Sequence, residues 1–158
     1  MTDATTALAH DTIRLERDLP HSPARVFAAY ADIDERVAWS APTDDEIVIF
    51  ESHDFRVGGT DRFICGPREA PTFAGTTRYE HIEQNRHLVF TERLVTTDEV
   101  LLAISLATWQ LDAVGDGCRL TIIDQVTSVA GDGPIEGSRH GYGAILDQLA
   151  RRLGSSSS

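Results

Sequence analysis

The sequence predicts an α+β fold: a curved antiparallel sheet covered by one long C-terminal helix. Three observations predict it. Strand-type alternation, punctuated by turn residues at short intervals, occupies most of residues 46–126. A capped helical segment follows a first strand near the N-terminus, and an apolar stripe with helical spacing closes the chain. Turns recurring between strands indicate an antiparallel meander rather than strand–helix alternation.

The elements follow in order. Residues 1–12 are polar and small and read as a flexible N-terminus. IRLERDL (Ile13 to Leu19) suits a strand that stops at Pro20. In HSPARVFAAYA, Ser22 can cap a helix and Pro23 occupies its first position, where a missing N–H is no loss. Val26, Phe27 and Tyr30 share one face of that helix. Asp32, with Glu35 at the spacing of a capping box, starts a second short helix that ends near Trp39, before Ala41-Pro42. EIVIFESHDF, TDRFIC, TFAGTTRYEHIE, HLVFTERLV, LLAISLATWQL and CRLTIIDQV then read as strands, giving a sheet of six to seven. Gly58-Gly59, inside DFRVGGTDRF, supplies the positive φ that a tight hairpin connection needs.

At the end of the chain, Tyr142, Ile145, Leu146, Leu149 and Leu153 fall on one helix face. Arg151 and Arg152 complement the dipole of the last turn, and Gly154 can terminate it. Gly141 and Gly143 weaken the first turn by ~1 kcal/mol each. Residues 154–158 read as a disordered tail, which leaves a single domain over 13–153. The sheet's apolar face must be covered, and this helix is the only long element able to do so. One helix over six curved strands leaves a gap, and the gap is the functional clue.

Composition excludes several function classes. The chain has 158 residues, 41% hydrophobic and 25% charged, enough for one domain with a core that buries roughly 70% of the unfolded surface. A net charge of -11 and a pI near 4.8 argue against nucleic acid and against docking on anionic membranes. No apolar run reaches the ~18 residues of a membrane helix, and MTDATTALAHD has no signal-peptide pattern, so a cytoplasmic location is expected. Cys65 and Cys118 stand far apart and are expected to be free thiols.

Motifs that suggest enzymes do not hold together. GDGPIEG (Gly131 to Gly137) has the wrong spacing for a dinucleotide loop and no βαβ context, and reads as a flexible connector. Ser138 and His140 with Asp124 do not make a triad, because residues two apart on a helix do not face each other. His81 and His87 straddle a turn with no carboxylate or cysteine evident to complete a set, so no metal site is expected, and no cofactor either. Period-2 alternation puts Tyr79 and His81 on one strand face, and Phe90 and Glu92 on one face of the next. For the aromatics, ordinary core packing competes with a ligand role. Glu92 either points inward with a partner or outward beside a cation of a neighbouring strand.

Taken together, SPARVFAAYAD with its tryptophan-ended helix, DFRVGGTDRF, FAGTTRYEHIEQNRHLVFTERL and HGYGAILDQLARRL resemble the START/Bet v 1-like (SRPBCC) superfamily. The branch resembled is that of the activator of Hsp90 ATPase C-terminal domain, from about Ile13 to Leu153. The resemblance implies a helix-grip, in which the sheet wraps the C-terminal helix around an elongated apolar cavity. Relatives commonly carry a Trp-Trp-Gly-Pro-like stretch where this chain has Ala38-Trp39-Ser40-Ala41-Pro42, so its cavity mouth is expected to differ. The cavity candidates are Trp39, Phe63, Tyr79, His81 and Phe90, together with Glu92, Trp109, Tyr142 and Ile145. The function implied is binding of a hydrophobic or aromatic small molecule. Two alternatives are an enzyme of the polyketide cyclase or hydrolase kind, with Glu92, His81 or Tyr79 handling protons, and a chaperone-interaction module, for which a second domain is expected. A homodimer is left open.

Overall fold

A computed structural model describes residues 7–41 and 43–155. The outer parts of the expected flexible N-terminus and serine tail, and Pro42, lie outside the described residues. The chain runs β1 (Ala9–Leu19), α1 (Pro23–Ala31), α2 (Ile33–Ser40), β2 (Glu46–His53), β3 (Thr60–Pro67), β4 (Phe73–Glu83), β5 (His87–Thr96), β6 (Leu101–Val114), β7 (Gly117–Ser128) and α3 (Gly133–Ser155). One seven-stranded sheet results, in the order β1-β7-β6-β5-β4-β3-β2, with every neighbouring pair antiparallel. This is the expected α+β helix-grip.

Both short helices start as their sequences dictate. The Ser22 hydroxyl accepts from the Arg25 N–H at 3.1 Å, and Pro23 opens α1. Asp32 caps α2 by accepting from the N–H groups of Asp34 and Glu35. The expected capping box is only half made. Asp32 N–H donates to Ala28 O because α1 runs straight into α2, and Glu35 turns instead to Arg25 at 2.7 Å. The resulting helix phase puts Arg36 and Trp39, three residues apart, on the buried face of α2.

Several boundaries differ from expectation; at the C-terminal end, α3 continues through Gly154, which was expected to end it, to Ser155. β1 begins at Ala9 rather than Ile13, because its first residues pair with Ser128, Thr127 and Val126 of β7. That pairing is long-range and leaves no mark on local composition. GDGPIEG is not a connector: α3 takes over at Gly133, with Glu136 N–H bonded to Asp132 O at 3.0 Å. Pro134 in a first turn lacks a donor that would have been idle there, and Glu136 suits the positive helix end.

The main core joins Leu146, Leu149 and Leu153 of α3 to Leu19, Leu120, Ile122 and Trp109 of the sheet. Each such side chain contributes about 1.5–3 kcal/mol on burial. α3 packs mainly on β1, β7 and α2. The face of the sheet at β2 and β3 is therefore left uncovered by the helix, and a space opens between them.

Candidate functional site

That space is a cavity of about 250 Å³. Its walls are β2 (Ile47, Val48, Phe50), β3 (Phe63, Cys65), β5 (Phe90, Glu92), Trp109 of β6 and Asp124 of β7. α1 and α2 add Tyr30, Arg36 and Trp39, and α3 adds Ser138, Gly141, Tyr142 and Ile145. β4 contributes no lining residue, for a local reason. Its inward position Gly75 pairs with Phe63, and a Cβ there would stand 2.2 Å from Phe63 Cζ, so the tip of the ring takes the room a side chain would need.

Sheet register places a polar row across this otherwise aromatic floor. Asp61, Thr77, Glu92 and Ser105 are Cα partners on successive strands β3 to β6. At the β3 end, Asp61 is fully buried and its carboxylate is saturated. Arg36 Nη1 donates to Oδ2 at 2.7 Å, the Tyr79 hydroxyl donates to the same oxygen at 2.5 Å, and His53 Nδ1 lies 2.7 Å from Oδ1. Burial alone would raise the Asp61 carboxyl, but Arg36, Tyr79 and His53 outweigh it and hold it below the usual carboxylate range. Arg36 is also stacked on aromatic faces, 4.2 Å from the Tyr30 ring centre and 4.7 Å from that of Phe50.

The hairpin glycines serve this cluster. Gly58 has φ +83°, and a Cβ on Gly59 would meet Asp54 O at 2.2 Å. Their backbone bonds, Gly58 N–H to Tyr79 O at 2.8 Å and Tyr79 N–H to Gly59 O at 3.0 Å, fix Tyr79 on β4 two positions beyond Thr77, the cross-strand partner of Asp61.

Farther along the floor the polar groups are less well paired. Glu92 accepts from the Thr77 hydroxyl at 3.2 Å. Burial, reinforced by the nearby Asp124, pushes the Glu92 carboxyl up to about 7. Burial likewise raises Asp124 to about 6 although the Ser105 and Tyr142 hydroxyls oppose it as donors. Asp124 Oδ1 and Trp109 Nε1 are both buried without a hydrogen-bond partner among the described residues. Two carboxyls that titrate near neutrality inside an aromatic cavity can exchange protons with a guest as well as hydrogen-bond to it.

Of the residues singled out from sequence, Trp39, Phe63, Phe90, Glu92, Trp109, Tyr142 and Ile145 lie at the cavity wall. Tyr79 sits behind it, completely buried in the Asp61 cluster. His81 is placed elsewhere: a bulge between Tyr79 and His81 breaks the alternation and turns His81 to the exposed outer face. There it stacks on His87 with ring centres 4.9 Å apart. The expectation that no carboxylate accompanies these histidines is corrected too. Glu83 lies beside them, all three presenting donor atoms within 4.8 Å of one another, and Glu83 is engaged by His87 Nε2 and Arg86 Nη1, each at 2.9 Å. Sequence reasoning missed Arg36, Asp61 and His53, and it weighed Asp124 only as a triad member. The strand pattern Leu120, Ile122, Asp124, Val126 already marks Asp124 as inward-facing. Cys65 and Cys118 are free. No helix among the described residues is long and apolar enough to cross a membrane.

Comparison with known proteins agrees with this architecture. Residues 20–154 match the family model described as Activator of Hsp90 ATPase homolog 1-like protein. The crystal structure of Mll3558 from Rhizobium loti superposes with a TM-score of 0.81 at 31% identity, over 92% of this chain and 98% of that one. Protein CV1439 from Chromobacterium violaceum gives a TM-score of 0.77 at 27% identity, over 89% and 94% of the two chains. DynU16, a protein of the dynemicin biosynthetic locus, shares the fold at 18% identity and a TM-score of 0.65, with 91% of this chain matched to 47% of that one. No curated protein matches the chain. Because the family model covers most of the sequence and the same fold recurs in these structures, the chain belongs to the Activator of Hsp90 ATPase homolog 1-like family.

Proposed function

We propose that the protein binds a small apolar or aromatic molecule in the cavity between the sheet and α3. One observation carries this: a space of about 250 Å³ walled mainly by aromatic and aliphatic side chains, with a few polar groups gathered on its floor. Such a site gains roughly 25 cal/mol per Å² of apolar surface buried and uses its polar groups for orientation. Trp39 and Trp109 both line it, so the site carries its own reporters. Titration with the neutral probe N-phenyl-1-naphthylamine should give a saturable one-to-one change in tryptophan emission that Phe90→Trp or Ile145→Trp, which fill the space, weakens at least tenfold. A linear, unsaturable response in the folded protein counts against the reading.

A second reading is favoured by Glu92 and Asp124, whose carboxyls face the cavity with proton affinities raised to about 7 and about 6. In an enzyme of the cyclase or hydrolase kind they would carry protons to and from the bound molecule. Mass analysis of a ligand recovered after incubation separates the two: a carrier returns it unchanged, whereas an enzyme converts it and Glu92→Gln stops the conversion.

A further inference from the structure

The chemistry of the cavity floor specifies more than an apolar guest, on the reading that the cavity is a ligand site. Among the described residues, the indole N–H of Trp109, a residue 5% exposed, has no acceptor, and Oδ1 of Asp124, 3% exposed, has no donor. Both line the cavity. The fold does satisfy its other indole, since Trp39 Nε1 donates to Ala29 O at 3.0 Å. A buried polar atom left unpaired bears its full desolvation penalty, so two at one site favour any guest that pairs them both.

Register brings the two within reach of a single small molecule. Trp109 is opposite Ile122, and Asp124 is opposite Ala107, so they are diagonal neighbours on the concave face of adjacent strands. Such neighbours lie about 7–8 Å apart at the backbone, close enough for long side chains to meet across the gap. Ala107, fully buried between them, contributes only a methyl group.

The two orphans ask for different things. The indole needs an acceptor and the carboxyl oxygen needs a donor. A hydrocarbon offers neither, a ketone or ether only accepts, and an ammonium group only donates. A carboxylate only accepts, and it would bring negative charge toward Asp124 and Glu92. A hydroxyl does both. The rings of Tyr30, Phe90 and Tyr142 around the same space suit an aromatic body. We propose that the cavity selects hydroxylated aromatic molecules, the ligand hydroxyl accepting from Trp109 Nε1 and donating to Asp124 Oδ1.

Calorimetric titration of the full chain with 2-naphthol, its methyl isostere 2-methylnaphthalene and 2-naphthoate tests this. The expected result is binding of 2-naphthol about tenfold or more tighter than 2-methylnaphthalene, with 2-naphthoate the weakest. Trp109→Phe, which keeps an aromatic ring and removes the donor, should bring the two neutral probes within about threefold of each other. Asp124→Leu should do the same, and if that variant does not fold Trp109→Phe decides alone. Equal affinity of the unaltered protein for 2-naphthol and 2-methylnaphthalene overturns the proposal and leaves the cavity reading standing, as does a preference that survives Trp109→Phe. Binding of none of the three probes removes the cavity reading itself.

Discussion

Arg36 Nη1 lies 2.7 Å from Asp61 Oδ2, with the two residues 8% and 0% exposed. A buried pair of this kind contributes little net stability by itself, because desolvation offsets attraction, but breaking it strands a charge. Here the remaining capacity of Asp61 is taken up by Tyr79 and His53, and Arg36 rests on Tyr30 and Phe50. Asp61→Ala should therefore cost about 3–5 kcal/mol in urea unfolding. The double variant Arg36→Met, Asp61→Leu should cost clearly less than the sum of its single changes. Additive costs would show that the pair is not coupled as the geometry implies.

The cavity carboxyls make an opposite kind of contribution. Glu92 is raised from an ordinary 4.5 to about 7, mainly by burial. Between those values the folded chain keeps a proton that the unfolded chain has released, so stability falls as pH rises. The contribution is fully present below about pH 4.5 and is lost as pH passes 7. Asp124, raised from 3.8 to about 6, adds to the same trend. Asp61 does not confuse the window, because its lowered carboxyl loses stability only as pH falls below the ordinary carboxylate range. At ~1.4 kcal/mol per pH unit, and allowing for solvent reaching Glu92 through the cavity, Glu92→Gln should gain about 2–3 kcal/mol over the unaltered protein at pH 8. At pH 4.5 the two should be nearly equal. Identical urea midpoints at pH 8 would contradict the inward, charge-averse environment of Glu92.

How much of this was legible depends on the range of the interaction. Ser22, Pro23 and Asp32 announce their helix starts because capping is decided within four residues. The stripe from Tyr142 to Leu153 announces α3 because burial follows helical period. His81 went astray because a bulge is set by the partner strand, and one extra residue inverts every face beyond it. Arg36 and Asp61 look like surface charges in their own segments. Only the fold shows that they meet from 25 residues apart. The one local hint was phase: a cap at Asp32 puts Arg36 on the same face as Trp39.

Phe63 and Gly75 show how the cavity is kept open. They are cross-strand partners, and the ring occupies the room a side chain on Gly75 would need. Gly75→Ala must displace the ring tip, which moves more easily than backbone and has the cavity beside it. The variant should lose about 1–3 kcal/mol of stability and bind N-phenyl-1-naphthylamine at least tenfold more weakly. Combining it with Phe63→Ala should restore uptake. Unchanged probe affinity in Gly75→Ala would mean that the ring does not border the bound molecule.

Cys65 offers an independent readout of the same space. It lines the cavity, and burial, with the negative charge of Glu92 and Glu46 adding to it, raises its thiol to about 11. Only the thiolate attacks disulfide reagents, so at pH 8 the reactive fraction is on the order of a hundredfold below that of a free cysteine. Cys118 is buried and raised by the same cause, so Cys118→Ser isolates the signal. In that variant Cys65 should react with 5,5′-dithiobis(2-nitrobenzoate) on the order of a hundredfold more slowly than in the urea-unfolded chain. A cavity ligand should slow it further in proportion to occupancy, because the guest covers the sulfur as well as excluding water. A Cys65 as reactive in the folded protein as in the unfolded one would place it outside the enclosed, carboxyl-flanked wall that the geometry gives it.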